Sequence, residues 1–210
     1  QMCAPGSGAV PNVESYQHAM VSAMRLQRYP VALDAWARLE AQPGAEPTLL
    51  EYTAAMSACE RVGEPGRALS LLGAMEAAGI QPDSNAMHVG VLAACRAADA
   101  EAAARLLARM ELAGGVPPPV LYSEAVRACG SRGEWSVAVE LLSRMRRLGV
   151  RRDAAAYRTA FRLCSQAGEE GRAALAATVD HLLQESEEAV GCWAADARLV
   201  EEALAGCAAA

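Results

Sequence analysis

The sequence predicts an all-α chain built by repetition, and three observations predict it. Apolar residues make up 53% of the 210 residues while aromatics are only 4%, and alanine fills much of the apolar share. Alanine is the strongest helix former and lets helices approach closely, whereas strands favour β-branched and aromatic residues. No stretch alternates Val, Ile, Thr and aromatics with polar residues in the manner of a strand. Finally, one set of spacings returns five times along the chain, the signature of a repeat architecture.

The repeat shows best on its aromatic anchors. Tyr52, Tyr122 and Tyr157 each precede a cysteine by seven residues: Cys59, Cys129 and Cys164. His88 precedes Cys95, and Tyr16 precedes Ala23, by the same interval. Anchors at 16, 52, 88, 122 and 157 are spaced by 36, 36, 34 and 35 residues. Nine residues past each cysteine or alanine stands Ala32, Ala68, Ala104, Ala138 or Ala173. Seven further on come Leu39, Met75 and Met145, with Glu111 and Asp180 as exceptions and Met110 beside the former.

Taken in order, residues 1–12 are an N-terminal extension, and five units follow at 13–48, 49–84, 85–118, 119–153 and 154–186. In the second unit Tyr52, Ala55, Met56 and Cys59 form one apolar stripe of a first helix at i, i+3, i+4 and i+7. Gly63-Glu64-Pro65-Gly66 breaks that helix, and Pro65 sits where a first helical turn tolerates it. Ala68, Leu71, Leu72 and Met75 stripe the second helix. Gly79 ends it in a left-handed conformation and Pro82 prevents resumption. Met145 to Gly149 and Asp153 repeat this closure in the fourth unit, and the fifth loses it. Residues 187–210 form an acidic cap whose Trp193, Ala197, Val200 and Leu204 fall on one helical face. No helix of a unit can bury its stripe alone, so neighbouring units must stack.

Charge and cysteine usage narrow the function classes. Up to Gly168 the chain carries 17 arginines against 16 acids; beyond it, two arginines face nine acids. The acidity therefore belongs to the C-terminal segment. All 19 basic residues are arginine, the better residue for phosphate and base stacking. Stacked cysteines of neighbouring units lie about a helix diameter apart, roughly 10 Å, too far for a disulfide. Free, packed thiols fit a reducing interior: cytosol, mitochondrial matrix or plastid stroma. Cys3, Cys192 and Cys207 lack metal-ligand spacing, no apolar run is long enough to span a membrane, and no cofactor or small-molecule site is expected. Gln1 in place of a starting Met fits a removed targeting segment and equally an incomplete N-terminus. A zinc deaminase would need His-x-Glu and Cys-x-x-Cys, and neither is present. His18, His88 and His181 are scattered, with His88 packing at an anchor, and Trp36, Trp135 and Trp193 are packing residues.

The order Tyr, Cys, Ala-Leu-x-Leu-Leu, Met, Gly-Ile-x-Pro-Asp resembles the pentatricopeptide-repeat (PPR) family; the Trp/Leu-Gly/Tyr pattern of tetratricopeptide repeats is absent. The resemblance covers residues 13–186 and is strongest at 49–83 and 119–153. It implies a right-handed α-solenoid of about five helix-turn-helix repeats plus a C-terminal capping helix. It also implies a way of reading single-stranded RNA, one base per repeat. In the family one reader directly follows the anchor, a second closes the repeat, and a residue two before the anchor packs on the base. The second unit places Thr53, Asp83 and Leu50 there, and the fourth Ser123, Asp153 and Val120. A small hydroxyl with Asp resembles the family's guanine-type pair. Gln17, Thr48 and Glu14 of the first unit, Val89, Pro118 and Ala86 of the third, and Arg158 and Ala155 of the fifth do not comply. Arg61, Arg96, Arg127, Arg132, Arg158 and Arg162 on first helices are candidate phosphate contacts.

Two functions fit this sequence. One is a non-catalytic scaffold or accessory subunit that binds protein subunits of a larger organellar assembly: a ribosome, or a photosynthetic or respiratory complex. The other is a single-stranded RNA-binding factor for processing, stabilising or translating organellar transcripts. The non-complying units, the short length and the acidic end tilt the expectation to the scaffold, in plastid stroma or mitochondrial matrix.

Overall fold

Each helix begins and ends where local chemistry dictates. In the computed structural model, which describes residues 13–150, 154–171, 173 and 174, nine helices are assigned among the described residues: α1 (Val13–Arg25), α2 (Tyr29–Glu40), α3 (Leu49–Val62), α4 (Pro65–Ala77), α5 (Ser84–Arg96), α6 (Ala100–Leu112), α7 (Pro119–Arg132), α8 (Trp135–Arg147) and α9 (Ala154–Gln166). The extension 1–12, Asp153, Trp193, Cys3, Cys192, Cys207, His181 and the cap at 187–210 lie outside the described residues. Thr48 starts α3 with a capping box: its backbone N–H donates to Glu51 Oε2 at 2.8 Å, and its Oγ1 accepts from the Leu50 N–H at 3.3 Å. Pro65 opens α4, where its missing N–H costs nothing. Gly63 closes α3 with φ +89°, Gly79 follows α4 with φ +78°, and Gly133 closes α7 with φ +73°, conformations that residues with a Cβ adopt only at a cost.

The chain divides into two compact units, residues 1–89 and 90–210, with the division inside α5. In the first, α1 pairs with α2 and α3 with α4, while α3 also packs on α1 and α2. Trp36 is fully buried there and tilts against Tyr52 with ring centroids 4.9 Å apart, a geometry that adds to simple burial. In the second, α7 pairs with α8, α6 packs on both, and α9 rests against both. Each unit thus buries a hairpin's stripe against the next hairpin, as stacking of repeats requires.

The structure corrects the spacing of the third repeat. After the first helix of a repeat, a backbone N–H reaches back five residues: Arg28 to the Ala23 carbonyl, Glu64 to Cys59 and Glu134 to Cys129, at 2.8, 2.9 and 3.1 Å. In the third repeat the donor is Asp99 and the acceptor is Ala94 at 3.0 Å, not Cys95. The left-handed residue before each donor agrees: Gln27, Gly63 and Gly133 are matched by Ala98 at φ +55°. Ala94 is therefore the counterpart of Cys59 and Cys129, and buried Met87, not His88, is the anchor. The anchors become 16, 52, 87, 122 and 157, spaced 36, 35, 35 and 35. In α6, Ala103, Leu106, Leu107 and Met110 repeat the Ala68, Leu71, Leu72, Met75 and Ala138, Leu141, Leu142, Met145 stripes. Glu111 is then no exception to the methionine position, because Met110 fills it.

Candidate nucleic-acid interface

The residue that closes one repeat is the residue that precedes the first helix of the next. Thr48, Asp83 and Pro118 stand directly before α3, α5 and α7. Exposed Asp83 uses Oδ1 to accept the Ala86 N–H at 2.7 Å, so the carboxylate expected at the closing position also caps α5. Pro118 precedes α7 with φ −56° and makes no side-chain cap bond.

The hydroxyls after the anchors are turned onto their own helices. Thr53 donates to the Leu49 carbonyl at 2.7 Å and is only 6% exposed. Half-buried Ser123 donates to the Pro119 carbonyl at 3.2 Å. With its proton committed to the backbone, each oxygen retains lone pairs with which to accept a hydrogen bond. Two residues before the anchors, Leu50 and Val120 are 62% and 54% exposed. Aliphatic side chains on amphipathic helices normally face the core; these two stand in solvent at one helical position of the second and fourth repeats. In each unit of the fold, then, one exposed aliphatic shares a helix with one hydroxyl acceptor three residues on.

The corrected spacing also changes the third repeat's site. Ala86 and Val89, the residues first expected there, are buried in the core. The positions flanking Met87 are Asn85, which is exposed, and His88, which is half-buried. The signal for this was present in the Ala103, Leu106, Leu107, Met110 stripe, which matches its neighbours when α6 is aligned on methionine.

Among the arginines proposed for phosphate contact, Arg61, Arg127 and Arg132 sit beside acids. Arg61 Nε lies 3.6 Å from Glu60, Arg127 Nε 3.1 Å from Glu124, and Arg132 3.9 Å from Glu134. The three guanidinium groups are more than half exposed while Glu60 is buried; the two pairs with partly exposed acids are worth about 0–1 kcal/mol, so a phosphate can compete for them. Arg96, Arg158 and Arg162 are exposed as well.

One polar cluster, joining Arg144 to Glu111 and Tyr122, is not signalled by the repeat spacing. Arg144 of α8 is 4% exposed, with Nη2 donating to Glu111 Oε1 at 2.7 Å and Nη1 to the Ala104 carbonyl at 2.9 Å. The Tyr122 hydroxyl donates to the same Glu111 oxygen at 2.6 Å. Burial and the neighbouring Glu111 carboxylate both push the Tyr122 pKa up. A cleft of about 340 Å³ between α6 and α8 is lined by Ala104, Arg105, Ala108, Val137, Glu140 and Arg144 among others. It is built from second helices, whereas the reading positions lie on first helices. Cys59, Cys95, Cys129 and Cys164 are buried free thiols. Burial pushes Cys95 and Cys129 up to about 12. Among the described residues no group of three or more His, Cys, Asp or Glu could hold a metal ion. No described helix is long and apolar enough to cross a membrane.

Comparison with known proteins agrees with the repeat pattern. The family model for the PPR repeat matches residues 52–80 and 120–150, the second and fourth repeats, which carry both hydroxyls. No curated protein matches the chain by sequence. Among solved structures, the pentatricopeptide repeat protein PPR10 in complex with an 18-nt psaJ RNA element is 24% identical with a TM-score of 0.55, over 98% of this chain and 28% of that one. PPR10 from maize gives 21% identity and a TM-score of 0.61, over 94% and 26%. Arabidopsis thaliana nuclear protein-only RNase P 2 gives 15% identity and a TM-score of 0.68, over 93% and 42%. At these identities the likeness speaks for the fold, an all-α helical-repeat solenoid, and the chain spans less than half the length of each neighbour. The family model thus identifies two of the repeats, at 52–80 and 120–150, as PPR repeats, and the solved structures share the fold.

Proposed function

We propose that this chain is a single-stranded RNA-binding module that works by recognition and not by catalysis, reading bases through its second, third and fourth repeats. The observation that carries this reading is the pair of exposed aliphatics, Leu50 and Val120, each on the same helix as a hydroxyl whose oxygen can still accept. An aliphatic side chain covers the face of a base, and an acceptor meets the N–H groups of a guanine edge. Moving the third anchor to Met87 puts His88 and Asn85 between these two sites in the chain. Three consecutive repeats then offer polar readers where the sequence spacing offered two separated ones. The PPR10 structure with an 18-nt RNA element supports the same use of the fold. Each base contact contributes about 1–3 kcal/mol, so three give about 3–9 kcal/mol before ordering costs. That suits a segment of a longer array better than a stand-alone binder. The buried thiols suit a reducing compartment, consistent with an organellar interior.

Fluorescence anisotropy with a short G-containing RNA strand at low salt tests this. Leu50→Glu, His88→Ala and Val120→Glu should each weaken binding about 5- to 150-fold with no change in Tm. Affinity should fall with salt at a slope of about −0.7 per phosphate contacted. Indifference to all three changes, or no binding at low salt, removes the proposal.

A second reading, a protein-binding subunit of a larger organellar assembly, is favoured by one observation. Leu112 and Val116, around the α6–α7 turn, are strongly exposed, where the equivalent residues of the second repeat are Ala77 and Gln81. That reading requires the chain to co-migrate with a large complex after nuclease treatment, and release by nuclease would exclude it.

A further inference from the structure

We infer that the fifth repeat holds a phosphate of the RNA strand between Arg158 and Arg162 and reads no base. Such a seat rests on the RNA-binding role proposed above, because the strand supplies the phosphate. Arg158 stands directly after the Tyr157 anchor, where the second and fourth repeats place Thr53 and Ser123. Those hydroxyls keep lone pairs for a base edge, whereas a guanidinium has donors only. Two residues before the anchor stands Ala155, a single methyl where Leu50 and Val120 offer larger side chains to cover a base. The fifth repeat thus lacks both the acceptor and the cover, and carries charge instead. Arg158 and Arg162 lie one helical turn apart on α9, and both are exposed. Residues so spaced share a face, with Cβ atoms about 5–6 Å apart. Two guanidinium forks at that spacing can converge on one phosphate.

The surroundings leave these two cations unneutralised. Helix α9 contains no aspartate or glutamate, and among the described residues no ion pair reaches either guanidinium. The fourth repeat supplies the contrast. Arg127 holds in α7 the position of Arg162, five residues past the anchor, and Glu124 three residues before it takes up its charge. The fifth repeat has Thr159 in place of Glu124, and the Thr159 hydroxyl donates to the Ala155 carbonyl at 2.9 Å. A second position agrees. Helices α7 and α9 pack together, and Arg162 lies beside Gly130 of α7. A Cβ at residue 130 would stand 3.8 Å from Arg162 Nη2 and 3.7 Å from Thr159 Cγ2, both ordinary contacts. Eight residues past their anchors the second repeat has Glu60 and the third Cys95 at this position. Glycine in a helix interior is unfavourable, but here it leaves Arg162 with neither a carboxylate nor bulk beside it.

NMR of the full chain titrated with two strands tests this: a short G-containing RNA, and the same ribose-phosphate backbone without bases. The base-free strand should shift the Nε–Hε resonances of Arg158 and Arg162 and leave the Leu50 and Val120 methyls in place. The G-containing strand should shift both sets. Gly130→Glu, which sets a carboxylate beside Arg162, should abolish the Arg162 response. It should also make the salt slope of RNA affinity shallower by about 0.7, the share of one phosphate contact. Arg162→Gln, at an exposed position, should change the slope equally, and Gly130→Ala should leave response and slope as in the parent. Arg105 of α6, exposed and 3.7 Å from Glu101, is the comparison for diffuse attraction. Arginine resonances of α9 that ignore the base-free strand, or move no more than that of Arg105, overturn the inference. An unchanged slope in Arg162→Gln overturns it as well. Leu50 and Val120 methyls that ignore the G-containing strand while α9 responds would instead remove base reading and leave the phosphate seat standing.

Discussion

Arg144 is the most deeply buried charge among the described residues, and its surroundings define what losing it would mean. Arg144→Ala leaves the Glu111 carboxylate half-buried beside Tyr122 with its cation gone, and should cost about 3–5 kcal/mol. Arg38 makes an exposed pair with Asp34 at 3.1 Å, and Arg38→Ala should cost no more than about 0.5 kcal/mol. Urea unfolding of the two variants measures the difference directly. Equal midpoints would mean that the trio is no more than a surface pair in effect.

At the scale of helices and turns, Ala98 is informative. It occupies the left-handed position that Gly63 and Gly133 fill elsewhere, and a residue with a Cβ is strained there by about 1–2 kcal/mol. Ala98→Gly should therefore stabilise the chain by about 0.5–1 kcal/mol after glycine's own entropy cost, seen as a higher urea midpoint; a lower one would refute the strain. The helices themselves were legible in the sequence, since Pro65, Gly63, Gly79 and the stripes fix starts, stops and faces by local chemistry. The third repeat was not read correctly, for a physical reason. Its turn lacks the glycine that marks those of the second and fourth repeats. Ala93, Ala94 and Cys95 are all buried, so apolar periodicity could not say which of them was the reference. The Asp99 N–H bond to the Ala94 carbonyl and the left-handed Ala98 separate the choices. At the candidate site the positions of Leu50 and Val120 were legible from the spacing, while the inward turn of Thr53 and the capping role of Asp83 depend on hydrogen bonds that spacing does not reveal.

The molecule as a whole carries its recurring thiols as a pH-dependent load. In the folded chain Cys95 and Cys129 hold their protons to about pH 12, against 9.0 for an unperturbed thiol, because burial disfavours the thiolate. Below pH 9 both folded and unfolded chains are protonated and stability is complete. Above it the unfolded chain sheds protons first, so stability should fall as pH climbs from 9 to about 12. Denaturant midpoints across that range measure the loss, and a flat profile would mean that these thiols are not desolvated. The Glu111 trio reaches further than stability. Repeats 35 residues apart look like interchangeable parts, each ready to be duplicated, deleted or grafted on its own. The third cannot be moved that way, because its glutamate needs a tyrosine and an arginine that belong to its successor. The inheritable cassette is the pair, residues 85–153, and a shuffled array that parts them would strip a buried cation of its nearest counter-charge.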